Sequence, residues 1–120
     1  MISAELKSID FNNIHILTRN DAYLEMLKPV YYLSLVLSIG VLGKDGADYF
    51  YVDVFNTGWI EKERFLIGKK SIVVDLDDLD ELEKYIRSFI SGVHGNNWED
   101  IVAHLKEYFY WEYDNHKFAI

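Results

Sequence analysis

Cysteine is absent from the 120 residues, and acids outnumber bases by twenty to twelve. Without thiols there are no disulfides, no thiolate metal ligands and no cysteine nucleophile. A domain with an adequate core needs no such cross-links, so the composition suits a reducing compartment, and a cytoplasmic location is the expectation. The chain also has little uninterrupted apolar sequence. The longest run, Val30 to Leu42, is broken by Ser34, Ser38 and Gly40 and falls short of the ~20 residues that span a bilayer. The opening Met1-Ile2-Ser3-Ala4-Glu5-Leu6-Lys7 contains an acid and a base and lacks the apolar core of a signal peptide. No membrane association is expected. A net charge of −8 and a pI of about 4.8 repel nucleic-acid phosphates and favour basic protein partners.

Catalytic signatures are missing as well. There is no phosphate-binding loop, nucleophile elbow, His-Glu-x-x-His pair or dinucleotide fingerprint. His15, His94, His104 and His116 are isolated in sequence, and although His94 and His104 could meet across a turn, no spacing marks a metal site. Neither a cofactor nor an enzymatic role is expected.

What the chain does have is core material. Half the residues are apolar and 16% are aromatic, ample for one domain over residues 1–120. Ile2, Ala4 and Leu6 alternate with polar residues as in a half-buried strand, until Asn12 and Asn13 break the pattern. Residues 14–28 are ambiguous, with a short helical turn possible over Ala22 to Leu27. Pro29 then opens the clearest strand, Tyr31 to Ile39, whose odd positions are all large and apolar. A turn at Gly43-Lys44-Asp45-Gly46 leads into a return strand, Tyr49 to Phe55, with Phe50, Val52 and Val54 on one face and Tyr49, Tyr51, Asp53 and Phe55 on the other. Trp59 begins a segment of uncertain shape, Gly68-Lys69-Lys70 reads as a kink, and Ser71 to Val74 is β-branched enough for a further strand.

Two helices close the chain. Leu79, Leu82, Ile86, Phe89 and Ile90 recur at helical spacing behind a capping box formed by Asp78 and Glu81, with Gly92 and Gly95 as the stop. Asn97 caps the second helix, whose apolar stripe is Trp98, Ile101, Val102, Leu105, Tyr108 and Phe109. Strands followed by helices predict an α+β fold: an antiparallel β-sheet of about four strands with the two C-terminal helices packed on one face.

Two local features carry the functional candidates. The run Asp75 to Glu83 holds Asp75, Asp77, Asp78, Asp80, Glu81 and Glu83 with no base before Lys84. Helix capping accounts for part of it, and a calcium loop is excluded by the lack of a central glycine. The remaining acids suit docking to a basic partner, with Asp75, Asp77 and Glu83 having the least structural duty. The second feature is the tail Tyr108-Phe109-Tyr110-Trp111-Glu112-Tyr113, whose aromatics cannot all share one helical face, so Tyr110, Trp111 and Tyr113 need another neighbour. That neighbour is either the sheet or a partner, and Trp111 and Tyr113 join the binding candidates. A rival reading assembles a small-molecule or catalytic site from Tyr51, Asp53 and His104.

The glycines Gly40, Gly43 and Gly46, Asp48 and Phe50 in the return strand, Trp59, and the terminal Trp98-Glu99-Asp100…Leu105…Tyr108-Phe109…Trp111-Glu112-Tyr113 together resemble the immunity protein 8 family. The resemblance extends from the first strand to Tyr113. It implies a protein encoded beside a secreted bacterial toxin that protects the producing cell by binding the toxin's C-terminal domain. The expected partner is therefore a cognate toxin domain, expected to be a nuclease with a basic surface. The expected contacts are Asp75, Asp77, Asp78, Asp80, Glu83, Trp111 and Tyr113, and the resemblance transfers no catalytic residue.

Overall fold

The computed structural model describes residues 1–64 and 70–114. Gly68 and Lys69, read as part of a kink, and His116 lie outside the described residues.

Strand β1 runs over Ile2–Phe11, and its alternation changes phase partway. Leu6 faces Ile39 and Ile9 faces Leu37, with a register shift between Leu6 and Ser8. A bulge at this point keeps apolar residues on the core side although their spacing goes from two to three, which is how one extra residue is absorbed into an antiparallel pair. Helix α1, Arg19–Met26, starts at a reciprocal capping box between Thr18 and Asp21. It begins three residues earlier than the turn expected at Ala22.

Strands β2, Tyr32–Val41, and β3, Asp48–Asn56, form the predicted antiparallel hairpin. Its loop requires the glycines, since Gly43 and Gly46 take φ of 78° and 91°. The core face is the one expected: Leu33, Leu35, Leu37, Ile39, Phe50, Val52 and Val54 are all buried.

Beyond the hairpin the structure corrects the expectation. Helix α2, Thr57–Glu63, occupies the segment around Trp59. Strand β4, Ser71–Val74, lies parallel to β3 and pairs with its last four residues, Asp53 to Asn56. Helix α3 spans Leu79–Ser91, and the two-residue strand β5, His94–Gly95, pairs with the start of β1. Helix α4, Trp98–Leu105, follows its Asn97 cap, and the chain ends its described course in β6, Tyr110–Trp111. The sheet is six-stranded, ordered β4-β3-β2-β1-β5, with β6 sharing the outer edge of β3 with β4. Among the described residues there are six strands, two of them only two residues long, and four helices, where about four strands and two helices were expected. The α+β class and the packing of α3 and α4 on one sheet face stand.

Those two helices bury Leu79, Leu82, Ile86, Ile90, Ile101, Val102 and Leu105 against the sheet, joined by Ala22 and Met26 of α1. Fully burying each large aliphatic side chain contributes roughly 1.5–3 kcal/mol, so this layer holds the domain together. Helix α4 stops at Leu105, which leaves Tyr108 half exposed and only Phe109 of that pair buried.

Candidate functional site

The acidic run divides into acids with structural duties and acids without them. Asp78 is the N-cap of α3, its carboxylate accepting from the amides of Asp80 and Glu81 at 2.9 and 3.4 Å. Asp80 accepts from the Tyr23 hydroxyl at 2.5 Å and from the Arg19 guanidinium at 2.9 Å. These two donors hold its pKa below the ordinary carboxylate value. Glu83, expected to be idle, bridges Arg19 at 2.6 Å and Arg87 at 3.2 Å. One guanidinium thus ties α1 to two successive turns of α3. Asp75 and Asp77 precede the helix and are exposed. Asp75 reaches the Thr57 hydroxyl at 3.5 Å. Both carboxylates stand close enough to Tyr31 to add to the effect of burial, which pushes its phenol up to about 12. With Glu61 and Lys28 they line a polar hollow of about 420 Å³ beside the N-terminus of α2.

The C-terminal aromatics divide in a similar way. Trp111 is half-buried against the core, opposite Phe50 of β3, and its indole N–H donates to Asp48 at 3.1 Å. Trp98 donates to the same carboxylate oxygen at 3.0 Å. The neighbour that these side chains needed is the sheet. Tyr113 is half exposed and packs edge-on to Trp111, ring centres 5.1 Å apart.

The rival constellation does not assemble. Tyr51 and Asp53 project from the sheet face opposite the core, while His104 lies exposed on α4 in the helical layer and stacks on Tyr108. The sheet separates them. His94 sits within 3.0 Å of the Ser3 hydroxyl, and among the described residues no cluster of His, Asp or Glu has the geometry to hold a metal ion. No helix among these residues is long and apolar enough to cross a membrane.

The sheet face turned away from α1, α3 and α4 carries a second group of side chains. Cross-strand register places Ser8, Ser38 and Tyr49 in one row, Asp10, Val36, Tyr51 and Tyr110 in the next, then Ser34, Asp53 and Ser71, and finally Tyr32, Phe55 and Val73. Among the described residues only α2 covers this face, at one corner, where Trp59 packs on Phe55 and Tyr32 at 5.0 and 6.2 Å between ring centres. Asn56 fixes that corner: it accepts from the amides of Tyr31 and Trp59 and donates to the Pro29 carbonyl. A side chain at Gly58 would collide with the same carbonyl. The alternation of Tyr49, Tyr51, Asp53 and Phe55 is the sequence signal for this face, and from it Tyr51 and Asp53 enter only the rival constellation with His104.

With this geometry in hand, comparison with known families decides the question. Residues 4–116 match the immunity protein 8 family. The chain belongs to that family. No curated protein and no solved structure gives a significant match. The three tryptophans have structural partners: Trp98 and Trp111 meet at Asp48, and Trp59 seats α2 on the sheet. The glycines open the hairpin loop, and Gly40, which has no room for a side chain, lies against the Gly46 carbonyl.

Proposed function

We propose that the protein is a cytoplasmic immunity protein that neutralises a cognate toxin by binding its C-terminal domain one to one. The observation that carries this reading is the family match over residues 4–116. Membership in an immunity family implies a protein partner and a non-enzymatic role. The chain's charge of −8 fits a toxin whose working surface is basic, as the phosphate-binding surface of a nuclease is. Binding there would occlude the active site or the substrate groove, and opposite charge would speed encounter. Asp75 and Asp77, exposed and without an ion pair to another described residue, are the members of the acidic run best placed to steer such a partner. Asp78, Asp80 and Glu83 already serve the fold.

Growth rescue tests the reading. The C-terminal domain of the toxin encoded upstream, expressed alone, should arrest growth, and co-expression with this chain should restore it. Arrest that persists with the chain present at equal or higher level counts against the proposal.

A further inference from the structure

We propose that the sheet face turned away from the helical layer, which among the described residues only α2 covers at one corner, and which is centred on Tyr49, Tyr51, Asp10 and Asp53, is the surface on which the basic toxin domain docks. The proposal rests on the immunity reading and adds the contact face to it.

A solvated face of an antiparallel sheet is ordinarily polar, with residues alternating apolar inward and hydrophilic outward. This one departs from that pattern. Its middle strands present Val36, Tyr49 and Tyr51 outward, beside the corner where Trp59 covers Tyr32 and the buried Phe55, and Tyr110 extends the Tyr51 row onto β6. Neighbouring strands lie about 4.8 Å apart, so the rows from β1 to β6 offer a continuous platform roughly 15 Å across. Tyrosine suits such a surface because it brings large contact area and a polar tip with few rotatable bonds. Between the tyrosines lie the small side chains of Ser8, Ser34 and Ser38, which leave room for a partner's projecting groups.

Charge selects the occupant. Asp10 and Asp53 stand on this platform with no ion pair or side-chain hydrogen bond to another described residue. An exposed face does not need carboxylates among its tyrosines for stability, whereas a guanidinium or ammonium from a partner would find both an acceptor and an aromatic surface there. Two described bases that border the face are already committed. Lys7 is held by Glu5 and the Lys44 carbonyl, and Lys70, over the Tyr110 ring, is tied to the Lys106 and Phe109 carbonyls. Asp10 and Asp53 are therefore left as the uncommitted charges at the centre, and they match a basic partner.

The test uses the full chain and the purified C-terminal domain of the toxin encoded upstream. Asp10→Asn with Asp53→Asn, and separately Tyr49→Ala with Tyr51→Ala, are compared with wild type by calorimetric titration. Circular dichroism confirms that each variant is folded. The tyrosine pair should weaken binding by at least tenfold, and the aspartate pair should slow association several-fold at low salt and less at high salt. A second readout needs no variant: amide and side-chain shifts in the wild-type spectrum on adding the toxin domain should cluster on Ser8, Val36, Ser38, Tyr49 and Tyr51. Wild-type affinity in both variants, or shifts confined to the helical layer, would overturn the docking face while leaving the immunity reading intact. A wild-type chain that does not bind the toxin domain would remove that reading and the proposal with it. Sedimentation showing a dimer held through these residues would assign the face to a second copy of the chain and also overturn the proposal.

Discussion

Trp98 and Trp111, thirteen positions apart, donate their indole N–H groups to one carboxylate oxygen of Asp48 at 3.0 and 3.1 Å. Asp48 opens β3, Trp98 opens α4 and Trp111 ends β6, so a single oxygen joins the sheet to both ends of the C-terminal segment. Asp48→Ala should cost about 1–3 kcal/mol, the usual penalty for leaving part-buried donors without an acceptor. Trp111→Phe keeps the ring packing and loses one bond, so it should cost less. Urea midpoints would measure both. Since Trp111 serves the fold, Trp111→Phe should leave affinity for the toxin domain unchanged.

The helical layer gives a second expectation. Ile101 and Leu105 are fully buried. Replacing either by Ala should destabilise the protein by about 2–5 kcal/mol, read from denaturant midpoints, because the packed sheet below cannot collapse into the space.

Asn56 makes three hydrogen bonds that join β2, β3 and α2. Asn56→Ala should exceed the ~1 kcal/mol typical of losing an N-cap, because two backbone groups outside the helix lose their partner as well. Loss of near-ultraviolet signal from the Tyr32, Phe55 and Trp59 cluster should accompany the fall in thermal midpoint.

Much of this architecture is legible in the residues, and the parts that are not share a cause. The β2–β3 hairpin is visible because strict alternation and positive-φ glycines are local signals. Helix α2 is not, because Thr57-Gly58-Trp59-Ile60 has poor helix propensity and is held by the Asn56 cap and by packing of Trp59 on Phe55 and on Tyr32 of the distant strand β2. Strand β6 is two residues long and exists only through pairing with β3. The same holds at the candidate site. Asp78 announces itself as a cap, but nothing near Asp80 or Glu83 shows that Arg19, some sixty residues earlier, will bind both. Glu83 therefore reads as idle in the sequence, Asp10 carries no local signal, and the pairing of Asp10 with Asp53 on one face comes only from register.

Acid stability follows from Glu25, which is buried between Lys28 and His15. Burial alone raises its pKa, but hydrogen bonds from Lys28 and His15 outweigh it, and the net shift is downward. A depressed carboxylate stabilises the fold above its unfolded pKa, and that contribution is lost as pH falls through the folded value. Glu25→Gln should thus be less stable than wild type at neutral pH. The gap should close progressively below about pH 4.5, as thermal midpoints across pH 3–7 would record.

Within the acidic run, Asp75→Asn with Asp77→Asn should slow association with the toxin domain at low salt while leaving thermal stability almost unchanged. Glu83→Gln should do the reverse, loosening the contact of α1 with α3 and lowering the thermal midpoint slightly. Stopped-flow association at two salt concentrations separates the two outcomes.

Neutralisation by binding is the central claim, and a stoichiometric titration tests it most directly. Increasing amounts of the purified chain are added to a fixed concentration of the active toxin domain, and the toxin's residual activity is followed. Stoichiometric occlusion predicts a linear fall that ends at one chain per toxin domain. Full activity at severalfold excess of the chain, or complete inactivation well below equivalence as a turning-over enzyme would produce, would contradict it.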